Sequence, residues 1–247
     1  MAGAAISGRL RLSWESATVR QLVDETPRCR SIRLAPPDWP GHLAGQHVDV
    51  RLTAEDGYQA ERSYSIASAP EEDGLRLTVE RIEDGEVSPY LADELQPGDE
   101  LELRGPIGGY FVWEERLGGP LMMVAGGSGV VPFRAMLCHW AAAHRSVEAR
   151  LLYSARTFDD LIYRNELMEL GADVRFTLTR EAPPDWDGHR GRIDRGLLAD
   201  TVWPPAAEPL IYVCGPSGFV EAAAQSLVDI GHQPRRIRTE RFGPTGT

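Results

Sequence analysis

A change of texture at "EERLGG", residues 114–119, divides the chain into two halves with different periodicities. Before it, "ATVRQLVDET", "CRSIRLAP", "QHVDVRLTA", "RSYSIAS", "LRLTVERIE" and "DELELRG" are short alternating runs broken by turn residues. That is the spacing of a small antiparallel barrel. Only "SPYLADEL" reads as a helix there. After the break the order alternates: strand "PLMMVAG", helix "PFRAMLCHWAAAH", strand "ARLLYSAR", helix "DLIYRNELMELG", strand "DVRFTLTR", then "RGLLADTV", strand "PLIYVCG" and helix "GFVEAAAQSLVDIG". Such an order predicts a parallel sheet covered by helices and joined by right-handed crossovers. The expectation is therefore two domains, a six-stranded antiparallel β-barrel over 1–115 and an α/β parallel-sheet domain over 116–247. A chain of 247 residues is long enough to hold both cores.

The formal net charge of -11 offers no electrostatic footprint for nucleic acid or an anionic membrane, whose phosphates such a surface repels. Small ligands or a basic protein patch are the expected partners. Cys29, Cys138 and Cys214 form no CxxC pair, so neither a disulfide framework nor a metal cage is expected. The opening "MAGAAISGRLRLSW" lacks a long apolar stretch, and no run approaches the roughly 20 apolar residues of a membrane span. These features predict a cytoplasmic protein with reduced thiols. "APPDWPGH", "EAPPDWDGHR" and "VWPPAAEP" read as Pro-rich loops within the domains.

Three junctions share one chemistry, each offering a helix N-terminus to an anion. In "GEVSPYL", Ser88 suits the N-cap and Pro89 the first helical position, leaving free amides at the positive dipole end. In "VAGGSGVVPF", a strand runs into Gly126, Gly127, Ser128 and Gly129, with Pro132 opening the helix, so that backbone can approach a phosphate. In "YVCGPSGFVEA", Gly215 and Pro216 follow a strand and leave Cys214 at the carboxyl edge, where open α/β sheets bind ligands. One Gly-rich turn is often only a tight connection. Two in one sheet, with a third in the barrel, point to a phosphate-bearing ligand.

The residues reached so far resemble the ferredoxin-NADP reductase family of flavoproteins. "RSYS" is similar to that family's R-x-Y-[ST] flavin motif, "GEVSPYL" to its G-x-x-S-x-x-L pyrophosphate turn and "GPIGGYF" to its G-P-x-G-x-F segment. "AGGSGVVPF" and "CGPSGF" resemble its two nicotinamide-nucleotide motifs, and all five occur in family order. The resemblance implies an FAD-binding barrel followed by an NAD(P)-binding domain, with flavin and nicotinamide meeting at their interface. It assigns Arg62 to the flavin pyrophosphate, where a bidentate guanidinium suits a phosphate. It stacks Tyr64 on the isoalloxazine and sets Ser65 at N5, with Ser63 beside them on the same strand and Ser68 further along. Val79, Glu80 and Arg81, and Gly85, Val87 and Ser88, complete the flavin side. Gly127, Ser128, Gly129, Pro132, Gly215 and Pro216 form the nucleotide side, and Cys214 packs beside the nicotinamide C4. Cys29 and Cys138 are read as packing residues.

Plant-type members carry a carboxylate near the end of the chain and an aromatic two residues later, and Glu240 and Phe242 in "RTERFGPTGT" match that pattern. The resemblance gives Glu240 a proton-handling role near N5 and lets Phe242 cover the flavin face. Longer relatives continue into a [2Fe-2S] domain; here the expectation is no metal, with electrons leaving directly from the flavin. The implied function is hydride transfer from NAD(P)H to FAD, then electron transfer to a separate acceptor protein, a ferredoxin or an oxygenase component. Reduction of free flavin, ferric chelates or quinone, and a flavin-binding sensor or assembly subunit, remain as alternatives. FAD is favoured over FMN. For the nucleotide, Ser154 and Arg156 end one strand, Thr179 and Arg180 end the next, and Arg190 is nearby. NAD-preferring relatives resembling cytochrome b5 reductase place an aspartate where Thr179 stands. NADP is therefore the expected cofactor, with NAD kept open by Asp159 and Asp160 close behind Arg156.

Overall fold

The computed structural model describes residues 12–243, so most of the N-terminal stretch and the last residues of the tail read above lie outside the described residues. The first sheet contains β1 (Glu15–Thr26), β2 (Cys29–Ala35), β3 (His47–Thr53), β4 (Gln59–Ser65), β5 (Leu75–Glu80) and β6 (Glu100–Ile107). Its order is β4-β3-β6-β1-β2-β5, and every pairing is antiparallel. An isolated bridge between Ile66 and Leu77 brings the end of β4 back to β5 and closes the sheet into a barrel. Alternation fills its interior: Val48, Val50, Leu75, Leu77, Leu101 and Leu103 point inward and are buried.

The second sheet contains β7 (Leu121–Gly126), β8 (Ala149–Ala155), β9 (Asp173–Leu178), β10 (His189–Arg190), β11 (Leu210–Pro216) and β12 (Ile237–Phe242). All its pairings are parallel, in the order β10-β9-β8-β7-β11-β12. The chain builds outward from β7 in one direction, then crosses to the other side for β11 and β12. The strand order therefore reverses between β7 and β11, the switch point at which α/β sheets open a crevice. Four helices connect the strands: α1 (Val131–Ala142), α2 (Arg164–Glu169), α3 (Arg195–Thr201) and α4 (Ser217–Ile230). α3 and α4 cover one face through Leu198, Val220 and Leu227. α1 covers the other, and its Phe133 and Met136 share one buried cluster with Cys29, Ala44, Ala67 and Phe111 from the barrel side.

The two domains therefore share a core across their seam, and hydrogen bonds stitch it. Val112 oxygen accepts from the Tyr212 hydroxyl and from Arg238, each at 2.7 Å. Tyr110 hydroxyl donates to the Ile237 carbonyl at 3.3 Å.

Three local expectations are corrected. The helix expected over "DLIYRNELMELG" shrinks to α2, because Asp160 caps a short 3-10 turn by accepting from the Thr157 amide and hydroxyl. Tyr163 then takes a left-handed φ of 59° that ends any continuous helix before Arg164. Ser88 does not cap a helix: its Oγ accepts from the Ile82 amide at 3.1 Å, and the segment widens into a π-turn over Tyr90–Glu94. The Arg-rich tail, not read as a strand, becomes β12 by pairing along β11 from Ile211–Ile237 to Pro216–Phe242.

Candidate active site

The carboxyl ends of β7, β8, β9 and β11 surround a cleft of about 190 Å³. It gathers Gly127, Ser128, Ser154, Arg156, Thr179, Pro216, Phe242 and, from the barrel, Glu80, all expected site residues, together with Cys29. Gly127 has a φ of +56° with open space where a Cβ would stand, so the turn presents bare backbone to the cleft. Gly129 packs so closely that a Cβ would run into the Cys214 carbonyl. Pro132 is buried in the first turn of α1. Ser128 Oγ donates to Glu80 Oε2 at 2.7 Å, tying the turn to the barrel. Phe219, the last residue of the "CGPSGF" motif though not singled out as a site residue, also lines the cleft, against Gly126 and Gly215. Cys29 is buried in the shared core and also borders the cleft; burial, then the Glu80 charge, pushes its thiol up to about 12, so it is an unreactive neutral group there.

At the outer end of the cleft, Thr179 and Arg180 amides donate to the Ala155 and Arg156 carbonyls, each at 2.9 Å. That backbone pairing sets Arg156 and Arg180 side by side, both exposed. Arg190 stands apart, donating to the Pro183 carbonyl at 3.2 Å, and does not line the cleft.

On the barrel, Arg62 reaches the turn that follows β5 and pairs with Glu86 at 2.6 Å. Tyr58 hydroxyl binds the other Glu86 oxygen at 2.7 Å. A Cβ on Gly85 would stand 2.8 Å from Ser88 Oγ, so the turn folds tightly on that side chain. Val79 and Val87 are buried in the barrel core, which leaves only their backbone for a ligand. Arg81 pairs with Asp93 at 2.7 Å. Tyr64 is half-buried against the barrel core, and burial holds its phenol protonated. Alternation turns Ser63 to the opposite face, where its hydroxyl donates to Asp49 at 2.6 Å.

Ser65 lies directly across from His47 in the β3–β4 ladder, so their side chains share a face. His47 Nδ1 is 4.0 Å from Glu240 Oε1 on β12, and Glu240 is paired in register with Cys214 on β11. Ser65, Cys214 and Glu240, more than a hundred residues apart at the extremes, are thus linked through His47 at one point of the seam. Burial raises Glu240 to about 7, and its Oε2 is buried with no partner among the described residues. Burial pushes the Cys214 thiol up, and the Glu240 charge adds to it. The same desolvation lowers His47, with Asp49 acting against it. His47 escaped the sequence reading because "GQHVDV" looks like ordinary strand alternation.

These features fit a flavin and a dinucleotide. A bare backbone turn opens at the switch point, an arginine meets a tight Gly-Ser turn, and a carboxyl oxygen is buried without a partner where the two would meet. An oxidoreductase FAD-binding domain model matches residues 24–112, and an oxidoreductase NAD-binding domain model matches residues 123–225. The glycine betaine monooxygenase reductase subunit of Chromohalobacter salexigens is 32% identical over 81% of this chain and 56% of its own length. This chain therefore spans little more than half of that relative. The FAD/NAD-binding domain of nitric oxide dioxygenase from Vibrio cholerae superposes with a TM-score of 0.83 at 27% identity, covering 93% of this chain and 99% of that one. A ferredoxin NADP+ reductase from Neisseria gonorrhoeae, solved with bound FAD and NADP, gives 0.80 at 25% identity over 92% and 98% of the two chains.

Proposed function

Since the chain belongs to the ferredoxin-NADP reductase-like flavoproteins, we propose that it is an NAD(P)H-dependent reductase that supplies electrons to a separate acceptor protein. The observation that carries this reading is the meeting of Ser65 and His47 from one domain with Cys214 and Glu240 from the other. A binding protein has no need to converge titratable groups from both domains on one half-buried point; a reaction at a domain seam does. A bound flavin would supply the redox chemistry between nicotinamide and acceptor. The chain's own residues bind, orient and exclude water. Arg62 and the Gly85–Ser88 turn would hold the flavin pyrophosphate, and the amides after Gly126 would hold that of the nucleotide. Cys214, buried and protonated, is a packing surface for the nicotinamide ring rather than a nucleophile. Glu240 holds or releases a proton near neutral pH, with His47 as the adjacent carrier.

The same reading sets the nucleotide. Arg156 and Arg180 stand side by side at the ends of β8 and β9 with no ion pair to a described residue, and Thr179 brings no negative charge. A 2'-phosphate is the group such a pair suits, and NADPH is the proposed donor. The acceptor is proposed to be an oxygenase component or a ferredoxin, by likeness to the monooxygenase reductase subunit. No helix among the described residues is long and apolar enough to cross a membrane. With the three cysteines unpaired, we place the protein in the cytoplasm. Anaerobic stopped-flow mixing of the flavin-loaded protein with NADPH tests the reading. Bleaching of the flavin within seconds is expected; a flavin that neither NADPH nor NADH reduces would refute it.

A further inference from the structure

Between the two domains runs a partly buried polar cluster that the site above does not use. Its centre is Arg134 on α1, whose side chain is only 3% exposed. Its Nη1 donates to the Ala67 carbonyl at 2.7 Å and to Glu72 at 2.8 Å. Its Nε donates to Glu166 at 3.0 Å, and Nη2 reaches the second oxygen of each carboxylate. Arg76 stands 3.7 Å from Glu166, so two guanidinium groups face two carboxylates and the cluster is neutral. The Arg134 guanidinium also lies 5.5 Å from the centre of the Tyr163 ring. The Tyr163 hydroxyl continues the network through Thr78 and Ser31 to Glu25. A buried charge held by so many directional partners constrains orientation more than it adds stability.

The partners' places in the chain give the cluster its meaning. Ala67 is two residues beyond Ser65, next to the Ile66 bridge that closes the barrel. α1 grows out of the glycine turn whose Gly129 rests on the Cys214 carbonyl, and Arg134 lies one turn and a half further on. One side chain therefore holds the continuation of the Ser65 strand and the helix that starts beside Cys214. Any slip of α1 against Ala67 changes the separation of Ser65 from Cys214.

We propose that Arg134 is a positioning residue that locks the flavin-side strand and the nicotinamide-side helix in one register, setting the approach distance for hydride transfer without touching either cofactor. The inference rests on the reductase reading above. Reacting atoms must be held about 3 to 3.5 Å apart, and a misplacement of about 1 Å costs on the order of a hundredfold in rate.

The test uses flavin-loaded protein, with Arg134→Met and Glu72→Gln as variants. Arg51→Met is the control, since Arg51 pairs with Glu102 at 2.7 Å within the barrel sheet and away from the seam. Hydrogen exchange reads the lock directly: peptides covering 64–69 and 129–137 are expected to lose protection together in both variants and to keep it in the control. In anaerobic stopped flow, the limiting rate of flavin reduction is expected to fall by about tenfold to a hundredfold, with the nucleotide Kd moving less than about threefold. Arg134→Lys, which keeps the charge but loses the fork, is expected to recover only part of that rate. If Arg134→Met does not fold, Glu72→Gln decides, because it keeps shape and removes only charge. Unchanged exchange, or loss confined to one side of the seam, overturns the lock. Coupled loss of protection with an unchanged limiting rate overturns the positioning role. A wild-type flavin that no nucleotide reduces counts against the reductase reading instead, and the exchange arm still decides the lock.

Discussion

His47 on the barrel and Glu240 on the last strand of the second sheet face each other at 4.0 Å across the domain seam, the carboxyl raised to about 7 by burial. A carboxyl whose pKa rises on folding binds its proton more tightly in the folded state. Its contribution therefore favours folding at low pH and is lost as pH climbs from about 4.5, its ordinary value, to about 7. For a side chain one quarter exposed, the shift corresponds to at most about 3 kcal/mol. In flavin-free protein, Glu240→Gln should be more stable than wild type at pH 8, with the advantage shrinking toward pH 5. Urea unfolding at the two pH values checks this; an advantage equal at both would mean that Glu240 titrates normally.

Arg62 already has a carboxylate partner in Glu86, so a phosphate must compete for it. Arg62→Ala removes a charge-assisted contact of about 1.5 to 3 kcal/mol, and the Glu86 competition puts the expected loss at the lower end. Flavin affinity should fall roughly tenfold, measured by fluorescence titration. A flavin Kd unchanged from wild type removes Arg62 from the pyrophosphate site.

Cys214 is 1% exposed and its thiol stays protonated, so the part proposed for it is one of shape. Cys214→Ala should slow flavin reduction much more than it weakens nucleotide binding, as expected of a contact made mainly in the transition state. Stopped-flow reduction over a range of nucleotide concentrations separates the two quantities. Equal changes in both would make Cys214 a core residue only.

Nucleotide choice should reside in Arg180, exposed at the mouth of the cleft beside Arg156. Arg180→Ala is expected to lower kcat/KM for NADPH about tenfold and to leave NADH nearly unchanged. Steady-state turnover with an artificial acceptor decides. A wild-type preference for NADH, or an equal loss with both nucleotides, would move the discrimination elsewhere.

Much of this architecture was legible because periodicity and turn chemistry are local. The alternation around Val48 and Val50, and the glycines at 126–129, carry their structure in a few neighbouring residues. What escaped depends on partners distant in sequence. His47 acquires its meaning from Glu240, and Arg134 looks like an ordinary helical arginine until Ala67, Glu72 and Glu166 are brought around it. The tail failed as a strand for a related reason: "RIRTERF" has little apolar content of its own, and the free edge of β11 supplies the pairing. Ser88 shows the reverse error, a sound capping signal overridden because the Ile82 amide lay within reach of its hydroxyl.

The contact between Gly129 and the Cys214 carbonyl also orders the paths by which such a site can change over generations. No side chain can be gained at 129 while β11 ends where it does, so the strand end must withdraw first. A withdrawal at 214 by itself opens a gap beneath the turn. The constraint between the two positions, 85 residues apart, runs one way: the obstacle at 129 is a backbone carbonyl that any residue at 214 would carry, so 214 can change its side chain alone whereas 129 is held to glycine.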